Sequence, residues 1–305
     1  MQSVLITGGA GFIGHHLANR LLADCKVTII DNLSSGKMSN IPKNLNVNFH
    51  KEDVRNKESL SDIIKREKID SCVHLAAKIS VRENDIEAMS INVNGTLSVL
   101  NACAENKIKN FVLASSAAVY GEAKLLPIRE DHPLIPISDY GISKMKAENL
   151  VLSFDELNKI QANVICLRFF NVYGKDQNME YAGVIAKFAE RIARELPPII
   201  FGDGMQTRDF VSVNDAVNAI VVSLKSNISG TFNIGTGHAI SIKELARKMM
   251  NSAASDLQPI YEQKKIDNEI RYSVADTTKS ANMLKFVAKE KLDDYLPKLF
   301  RTFGH

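Results

Sequence analysis

The chain has 305 residues, of which 45% are hydrophobic and 24% charged, and its formal net charge is +3. This is the composition of an ordinary globular protein with enough apolar material for one large domain or two modest ones. The small net charge gives no electrostatic reason to expect a nucleic-acid partner or a membrane surface. No run of 18 apolar residues occurs, so the sequence predicts no helix that spans a bilayer.

The start of the chain predicts a strand, a glycine-rich turn and a helix in direct succession. Residues 1–7 (MQSVLIT) are apolar, residues 8–14 carry a G-x-x-G-x-x-G pattern, and a helical pattern follows. Unpaired backbone N–H groups and the positive end of the helix dipole make such a turn an anion site, and glycine lets a diphosphate approach the backbone. We also expect no secretory signal, because the strand and the turn begin almost at Met1.

The first half of the chain alternates short strand patterns with amphipathic helical patterns. The further strand candidates are residues 26–30, 46–50, 69–75, 109–115 and 163–169, and the helix candidates are residues 57–67, 86–106 and 141–158. This alternation predicts an α/β fold with a Rossmann-type doubly wound parallel sheet. Ligands of such sheets bind at the carboxyl ends of the strands.

The alternation loosens from about residue 175. We predict a helix near 181–195, a short strand, a turn at 202–204, a helix near 214–226, a strand at 230–234, a polar irregular stretch at 255–272 and helices near 241–252 and 288–302. The predicted division is a Rossmann-type nucleotide-binding domain at residues 1–174, with strand and helix returns near 210–236, and a smaller C-terminal α/β lobe at residues 175–305 that mainly binds substrate.

The cysteines lie scattered in apolar stretches, without the spacing of a metal site or a CxxC pair. They are Cys25, Cys72, Cys103 and Cys166. We expect buried free thiols in a reducing compartment, which favours a cytoplasmic location.

An acidic residue, Asp31, follows the second predicted strand about 20 residues after the glycine turn. A carboxylate there accepts hydrogen bonds from ribose hydroxyls and repels a 2′-phosphate, so the site should prefer NAD to NADP. Asp53 ends the third strand segment and is interpreted equally well as a contact for the adenine edge or as a plain loop aspartate. Ala76 and Ala77 follow the fourth strand, where small residues let a flat cofactor pass close to the backbone.

Tyr140 and Lys144 have a spacing that places the phenol and the ammonium on one face of a helix, one turn apart. A tyrosine with its ordinary pKa is a poor base at neutral pH. A cation nearby favours the phenolate, so this pair can take a proton from a substrate hydroxyl. The other interpretation is an accidental pair on a solvated face.

Two serines, Ser115 and Ser116, follow the fifth predicted strand in the segment ASSAAVYG. Hydroxyl groups at the carboxyl end of a strand can hydrogen-bond a reacting oxygen. Taken alone, the serines are better explained as a simple turn motif.

Together these motifs resemble the extended short-chain dehydrogenase/reductase superfamily, and within it the NAD-dependent nucleotide-sugar epimerases of the UDP-galactose (UDP-glucose) 4-epimerase group. The similarity covers nearly the whole chain and includes TGGAGFIG at 7–14, DNLSSG at 31–36, SSAAVYG at 115–121, RFFNVYG at 168–174 and FNIGTG at 232–237. The resemblance implies 4-epimerisation of a UDP-hexose with tightly bound NAD, through a 4-keto intermediate. It further implies a reaction that needs no metal, and a homodimer built on residues 86–106 and 141–158.

The resemblance also implies roles for particular residues. Tyr140 would be the general base and acid at the sugar O4, Lys144 would bind the nicotinamide ribose and lower the Tyr140 pKa, and Ser116 would hydrogen-bond O4. The implied dinucleotide contacts, besides Tyr140 and Lys144, are Gly8, Gly11, Phe12, Ile13, Gly14, Asp31, Asn32, Asp53, Val54, Leu75, Ala76, Ala77, Lys78 and Phe170. The implied nucleotide-sugar contacts are Ser116, Asn171, Gly183, Val184, Phe201 and Arg208. Asn92 would be a structural tie behind the site.

Enzymes of related fold perform other reactions. Sugar 4,6-dehydratases and UDP-glucuronate decarboxylases resemble this chain but carry an acidic residue where Ala117 and Ala118 stand, which disfavours both classes. Asn171 fits the hexose epimerases better than those acting on glucuronate. A one-way dehydrogenase, and a non-catalytic NAD-binding protein on the same fold, remain as alternatives.

The sequence departs from the family pattern at two positions. The arginine that usually grips the diphosphate in the C-terminal lobe is replaced by Ile266, with Lys264 and Lys265 nearby. This leaves the nucleotide of the substrate open. The position that gates the sugar pocket corresponds to Ser273, a small residue that leaves room for a 2-N-acetyl group. We therefore expect UDP-GlcNAc and UDP-GalNAc to be accepted beside UDP-glucose and UDP-galactose.

Overall fold

The computed structural model describes residues 1–79, 85–157, 159–177, 183–263 and 270–301. The helices are α1 (Phe12–Leu21), α2 (Lys57–Arg66), α3 (Ile86–Met89), α4 (Gly95–Glu105), α5 (Asp139–Glu156), α6 (Val184–Ala193), α7 (Val213–Lys225), α8 (Ile242–Ser252) and α9 (Leu292–Arg301). The strands are β1 (Gln2–Thr7), β2 (Cys25–Ile30), β3 (Val47–His50), β4 (Ser71–His74), β5 (Asn110–Ser116), β6 (Asn163–Phe169), β7 (Asn171–Tyr173), β8 (Ile199–Phe201), β9 (Thr207–Ser212), β10 (Gly230–Ile234), β11 (Ala239–Ser241) and β12 (Ile260–Glu262).

The main sheet of the described chain has seven strands in the order β10-β6-β5-β4-β1-β2-β3. All neighbours pair in parallel. From β1 the strands continue to one edge of the sheet as β2 and β3, whereas β4, β5 and β6 continue to the other side. The strand order therefore reverses between β1 and β4, and a doubly wound sheet binds its ligands in the crevice at this point. The predicted Rossmann-type fold is confirmed.

Both faces of the sheet are covered, which explains why its strands are almost continuously apolar. On one face, α1 and α7 pack with residues such as Leu17 and Ile220 against Val4 and Ile6. On the other face, α2, α4 and α5 form a second core around Leu5. Burial on both sides holds the carboxyl ends of the strands in a fixed arrangement.

The C-terminal part adds a third core around α6, α8 and α9. It includes a three-stranded sheet in the order β11-β9-β7 and a two-stranded sheet of β12 and β8. The prediction that residues 255–272 are irregular is wrong for Ile260–Glu262, which forms β12. All three residues of β12 are exposed, so its pairing with β8 depends on backbone hydrogen bonds that no apolar pattern reveals.

The predicted helix at 86–106 is a helix interrupted by a π-helical turn at Ser90–Asn94. Asn92 lies buried within that turn. The four cysteines are buried and unpaired, as predicted. Across the described ranges, every helix is too short or too polar to cross a membrane.

Candidate functional site

The glycine turn joins β1 to α1 at the centre of the sheet. Gly8 has φ +71°, and a Cβ there would lie 2.7 Å from the backbone nitrogen of Ala76. A Cβ on Gly14 would lie 2.3 Å from the carbonyl oxygen of Gly8. Gly11 is the N-cap of α1 and offers no side chain to the helix N-terminus, whose first turn has no acidic residue. Backbone N–H groups at this helix end are therefore available to an anion that approaches the turn.

Asp31 stands directly after β2, beside the glycine turn. Its carboxylate accepts hydrogen bonds from the backbone nitrogens of Ala10 at 3.0 Å and Leu33 at 2.8 Å. Burial raises the pKa of Asp31, and these two backbone hydrogen bonds oppose that rise. The carboxylate is thus fixed in position while it still lines the crevice.

Asp53, which follows β3, is tied to its own surroundings. Asn32 donates to its carboxylate at 3.2 Å, and Arg55 donates twice at 2.8 Å. The hydrogen bonds from Arg55 hold the pKa of Asp53 at about 2. Asp53 nevertheless lines the crevice, so both interpretations made from the sequence remain compatible with its position.

The crevice consists of two adjoining cavities of about 300 and 380 Å³. The first is walled by most of the predicted dinucleotide contacts, namely Gly8, Asp31, Asn32, Asp53, Val54, Leu75, Ala76, Ala77 and Lys78. The second is walled by Gly11, Phe12, Ile13, Gly14, Ser116, Tyr140, Lys144, Phe170, Asn171, Gly183 and Val184. Gly8, Leu75 and Ala77 border both cavities, so one long groove runs across the carboxyl ends of the strands.

Tyr140 and Lys144 occupy the first turns of α5, whose start is capped by Ser138. The Ser138 hydroxyl accepts a hydrogen bond from the backbone nitrogen of Gly141 at 3.1 Å. Ser116 ends β5, on the facing side of the second cavity. The structure therefore brings together three side chains that the sequence separates by up to 28 residues.

Burial and hydrogen bonding act in opposite directions on the phenol of Tyr140. Burial raises the pKa of Tyr140 to about 12, and hydrogen bonding with Ser116 opposes the rise. The Lys144 ammonium donates to the carbonyl of Ala114 at 2.8 Å and lies 6.0 Å from the centroid of the Tyr140 ring. That Lys144 lowers the pKa of Tyr140 when the cofactor is bound stays a prediction.

Behind the site, Asn92 performs the structural role predicted for it. Its side chain accepts from the backbone nitrogen of Lys78 at 2.8 Å and donates to the Ser143 hydroxyl at 2.8 Å. Ser143 in turn donates to the backbone carbonyl of Tyr140 at 2.8 Å. This chain of hydrogen bonds joins the cofactor side of the groove to the helix that carries Tyr140.

Three predicted nucleotide-sugar contacts do not line either cavity. Phe201 ends β8, and Arg208 lies in β9, where its guanidinium donates to the Thr207 carbonyl at 2.8 Å. Ser273 is buried in an extended segment next to Arg271, whose carbonyl accepts from the backbone nitrogen of Thr207 at 2.9 Å. The three therefore belong to the neighbouring β8–β9 region. Ile266 lies outside the described residues.

Other residues of the groove were not predicted. The sequence analysis missed Ser34, Ser35, Glu52, Ile79, Glu87, Ile91, Tyr173 and Gln177 among the lining residues. Ser34 and Ser35 follow the carboxyl end of β2, which is a positional signal that could have identified them. Gln177 has no comparable signal.

The geometry suits a long, anionic, two-part ligand, one end of which would reach the half-buried phenol of Tyr140. The helix N-terminus has the chemistry to bind a diphosphate, the Asp31 carboxylate can accept hydrogen bonds from sugar hydroxyls, and Tyr140 with Ser116 can exchange a proton with a hydroxyl.

Comparison with known proteins agrees with this geometry. Residues 4–235 match the family model described as "NAD dependent epimerase/dehydratase family". A Methanocaldococcus jannaschii protein, whose name describes it provisionally as a UDP-glucose 4-epimerase, is 41% identical over 250 residues, which is 79% of each chain.

Two solved structures are similar over nearly their full length. The UDP-N-acetylglucosamine 4-epimerase of Methanobrevibacter ruminantium, in complex with UDP-N-acetylmuramic acid, has a TM-score of 0.92 and 35% identity, covering 99% of this chain and 98% of that one. The UDP-glucose 4-epimerase of Thermotoga maritima with UDP-glucose has a TM-score of 0.93 and 32% identity, with both chains covered completely.

Proposed function

Because the chain belongs to the NAD-dependent epimerase/dehydratase family, we propose that it is an NAD-dependent nucleotide-sugar 4-epimerase that interconverts UDP-glucose and UDP-galactose. The observation that carries this proposal is the position of Tyr140. Its half-buried phenol shares a cavity with Ser116 and Lys144, and the glycine turn lines the same cavity. The relatives named above as UDP-glucose 4-epimerases support the same reaction.

The groove fits NAD. Close backbone approaches at Gly8 and Gly14 clear the helix N-terminus for a diphosphate, and Asp31 stands where a ribose diol would lie. Bound NAD supplies a hydride acceptor that returns the hydride within the same catalytic cycle. Residues of both cavities would hold the dinucleotide, with Asp31 as a contact in the first cavity and Tyr140 in the second.

The proton chemistry belongs to the chain. In our proposal Tyr140 takes the proton from the sugar O4 hydroxyl as C4 is oxidised, and gives it back when C4 is reduced. Ser116 lies at the same end of the cavity and holds O4 by a hydrogen bond. Lys144 is buried and its ammonium is hydrogen-bonded to the carbonyl of Ala114. In our proposal its positive charge favours the phenolate form of Tyr140 once a sugar hydroxyl is bound.

Between oxidation and reduction, the 4-keto sugar must present its other face to Tyr140. In our proposal the sugar turns within the second cavity, which encloses about 380 Å³ and is lined by Asn171 and Val184. Asn171, Gly183 and Val184 are in our proposal the contacts of the sugar nucleotide. Phe201 and Arg208 would have to reach the nucleotide from beyond the cavity wall.

Other reactions of the fold are disfavoured by the segment that follows β5. Ala117 and Ala118 provide no acid to expel a C6 hydroxyl, which argues against a dehydratase. The alternatives are a decarboxylase, a one-way dehydrogenase or a non-catalytic NAD-binding protein. Their products differ: a decarboxylase would release CO₂, a one-way dehydrogenase would release reduced cofactor, and a non-catalytic protein would leave the sugar unchanged.

One experiment tests these alternatives together. Purified protein without added NAD is incubated in turn with UDP-glucose, UDP-galactose, UDP-GlcNAc, UDP-glucuronate and dTDP-glucose, and the products are separated. We expect the C4 epimer of a UDP-hexose and no net change in absorbance of reduced cofactor. A dehydrated, decarboxylated or unchanged sugar in every reaction would reject the proposal.

A second substrate pair is favoured by Ser273. This residue is small, and the similar enzyme of M. ruminantium is a UDP-N-acetylglucosamine 4-epimerase. We propose that UDP-GlcNAc and UDP-GalNAc are also interconverted, and that Ser273→Tyr lowers turnover of this pair more than turnover of the hexose pair. Equal turnover of both pairs that survives the substitution would reject the role of Ser273.

The roles of the two parts of the chain, the oligomeric state and the cellular location are proposals as well. We assign NAD binding to residues 1–174 with the return near 210–236, and substrate binding mainly to residues 175–305. Ile86 and Leu97 are exposed apolar residues within the segment 86–106, and they support a homodimer through residues 86–106 and 141–158, to be tested by light scattering. Four buried thiols support a cytoplasmic enzyme.

A further inference from the structure

A second group of polar side chains joins α1 to the loop after β7. His15 and His16 on α1, together with Asp176 in the loop after β7, each offer one ligand atom, and these atoms lie within 4.8 Å of one another. None of the three lines the two cavities of the groove. The proposed reaction therefore makes no use of them.

The ring nitrogens of His15 lack the hydrogen bonds that a buried histidine usually makes. Its Nε2 lies 3.6 Å from a carboxylate oxygen of Asp176, which is longer than a hydrogen bond. Both ring nitrogens are buried and have no hydrogen-bond partner among the described residues. A tetrahedral ion with bonds of about 2.0–2.2 Å places its ligands roughly 3.3 Å apart. The gap between His15 and Asp176 is close to that separation.

His16 is held in a way that suits a metal ligand. Its Nε2 lies 3.0 Å from the backbone carbonyl of Lys175. A carbonyl can only accept, so this nitrogen donates, and the lone pair remains on Nδ1. Ligating histidines commonly make such a hydrogen bond to a carbonyl with their other nitrogen. The two imidazole rings are neighbours, with centroids 4.4 Å apart.

We propose that His15, His16 and Asp176 form a binding site for Zn²⁺, with water as the fourth ligand. Imidazole and carboxylate together favour a borderline transition metal, and three protein ligands are sufficient for an open tetrahedral site. The side chain of Asp176 is 43% exposed, which leaves an entry path and room to move toward the histidines.

The site would connect two parts of the groove. α1 carries the glycine turn at its start, and the loop with Asp176 leads to Gln177 in the wall of the second cavity. A metal held between them fixes the loop against the helix. Its role is structural, so this site is independent of the proposed epimerisation.

The test uses the full chain without an added histidine tag, first treated with a chelator. Zn²⁺ binding is measured by competition with a chromophoric chelator, and Co²⁺ is added separately to record its visible spectrum. We expect one Zn²⁺ per chain and the intense absorption of tetrahedral Co²⁺. Asp176→Asn and His15→Gln should each weaken binding at least about tenfold, as loss of a metal contact typically does.

His238→Gln is the matched control, because His238 is exposed and remote from α1. It should bind Zn²⁺ as the unchanged chain does. Asp176 is on the surface, so its variant should fold, and circular dichroism verifies this. Absence of stoichiometric binding, or equal binding by Asp176→Asn and the control, would overturn the proposal and leave a histidine–aspartate ion pair only.

Discussion

The ammonium of Lys144 donates a hydrogen bond of 2.8 Å to the main-chain carbonyl of Ala114, two residues before Ser116 on β5. This bond joins the helix that carries Tyr140 to the strand that carries Ser116. The ammonium is buried, and burial lowers the pKa of Lys144 to about 8. A charge kept out of water in this way is costly for the fold and useful beside a phenol that must release a proton.

The free energy of unfolding should therefore depend on the charge of Lys144. The unfolded lysine has a pKa of 10.5 and the folded one about 8, so the unfolded state binds more protons between these values. The free energy of unfolding should rise with pH across this window, by up to about 3 kcal/mol. Below pH 8 the lysine is protonated in both states, so Lys144 should add no pH dependence there. Lys144→Met removes the titrating group. Denaturant unfolding of both proteins between pH 7.5 and 10 should show the rise only in the unchanged chain, and parallel curves would contradict it.

Replacing Tyr140 by Phe should remove the proton acceptor while leaving the cavity shape almost unchanged. We expect turnover to fall by roughly 10²–10⁴-fold, the contribution typical of a positioned acid–base group. NAD should remain bound, because the glycine turn and Asp31 are untouched. Product formation and the cofactor released on denaturation measure the two effects.

The matched control for this variant is Tyr261→Phe, since Tyr261 is exposed on β12 and lines neither cavity of the groove. It should keep full activity. Near-normal turnover by Tyr140→Phe would defeat the proposed mechanism, whatever the control shows.

Much of the site could be predicted because its signals are local. The spacing of Tyr140 and Lys144 is a property of one helix, and the glycine turn is a property of seven consecutive residues. The order of strands in the sheet then brings both to the same edge. Asp31 and Ser116 were predicted for the same reason, since each directly follows a predicted strand.

What could not be predicted depends on partners that are distant in sequence. Arg168 on β6 pairs with Glu148 on α5, and no periodicity links a strand residue to a particular helix residue. The spacing shows that Lys144 is near Tyr140, but not that its ammonium donates to the carbonyl of Ala114. Short strands such as β7 and β11 escaped detection because three residues are too few to show alternation.

Adding a methyl group to the glycine turn should separate its structural role from its role in binding. At Gly14 a Cβ would lie 2.3 Å from the Gly8 carbonyl oxygen, so Gly14→Ala must shift the backbone. At Gly11 the only close atom is the same oxygen, at 3.2 Å. We expect Gly14→Ala to lose about 1–3 kcal/mol of stability together with NAD affinity.

Gly11→Ala should lose NAD affinity with a smaller loss of stability, because Gly11 lines the second cavity and its methyl group would meet the Gly8 oxygen at a longer distance. Thermal unfolding without NAD and NAD titration by calorimetry distinguish the two variants. Equal destabilisation by both would show that the turn is crowded throughout, and unchanged NAD affinity in both would place the diphosphate elsewhere.

The last prediction concerns the buried ion pair between Glu148 and Arg168. Glu148 lies one turn beyond Lys144 on α5, and its carboxylate accepts from Arg168 and, at 2.7 Å, from the Ser115 hydroxyl. Arg168 also donates to Tyr120 at 2.8 Å. The pair thus clamps α5 to β5 and β6, beside both Ser116 and Lys144. Removing one partner of such a pair leaves an uncompensated buried charge, which costs about 3–5 kcal/mol.

Glu148→Gln should accordingly lower the melting temperature and also kcat, with KM little changed, because α5 would shift relative to Ser116. Asp293→Asn is the control for loss of a surface ion pair: Asp293 contacts Lys248 at 2.8 Å but is 64% exposed, so it should cost less than about 1 kcal/mol and leave kcat intact. Kinetics are measured well below the melting temperature, where both variants are folded. If kcat of Glu148→Gln is then normal, the pair stabilises the fold without positioning the catalytic side chains. If kcat falls and KM holds, the distance between α5 and β5 controls proton transfer at Tyr140.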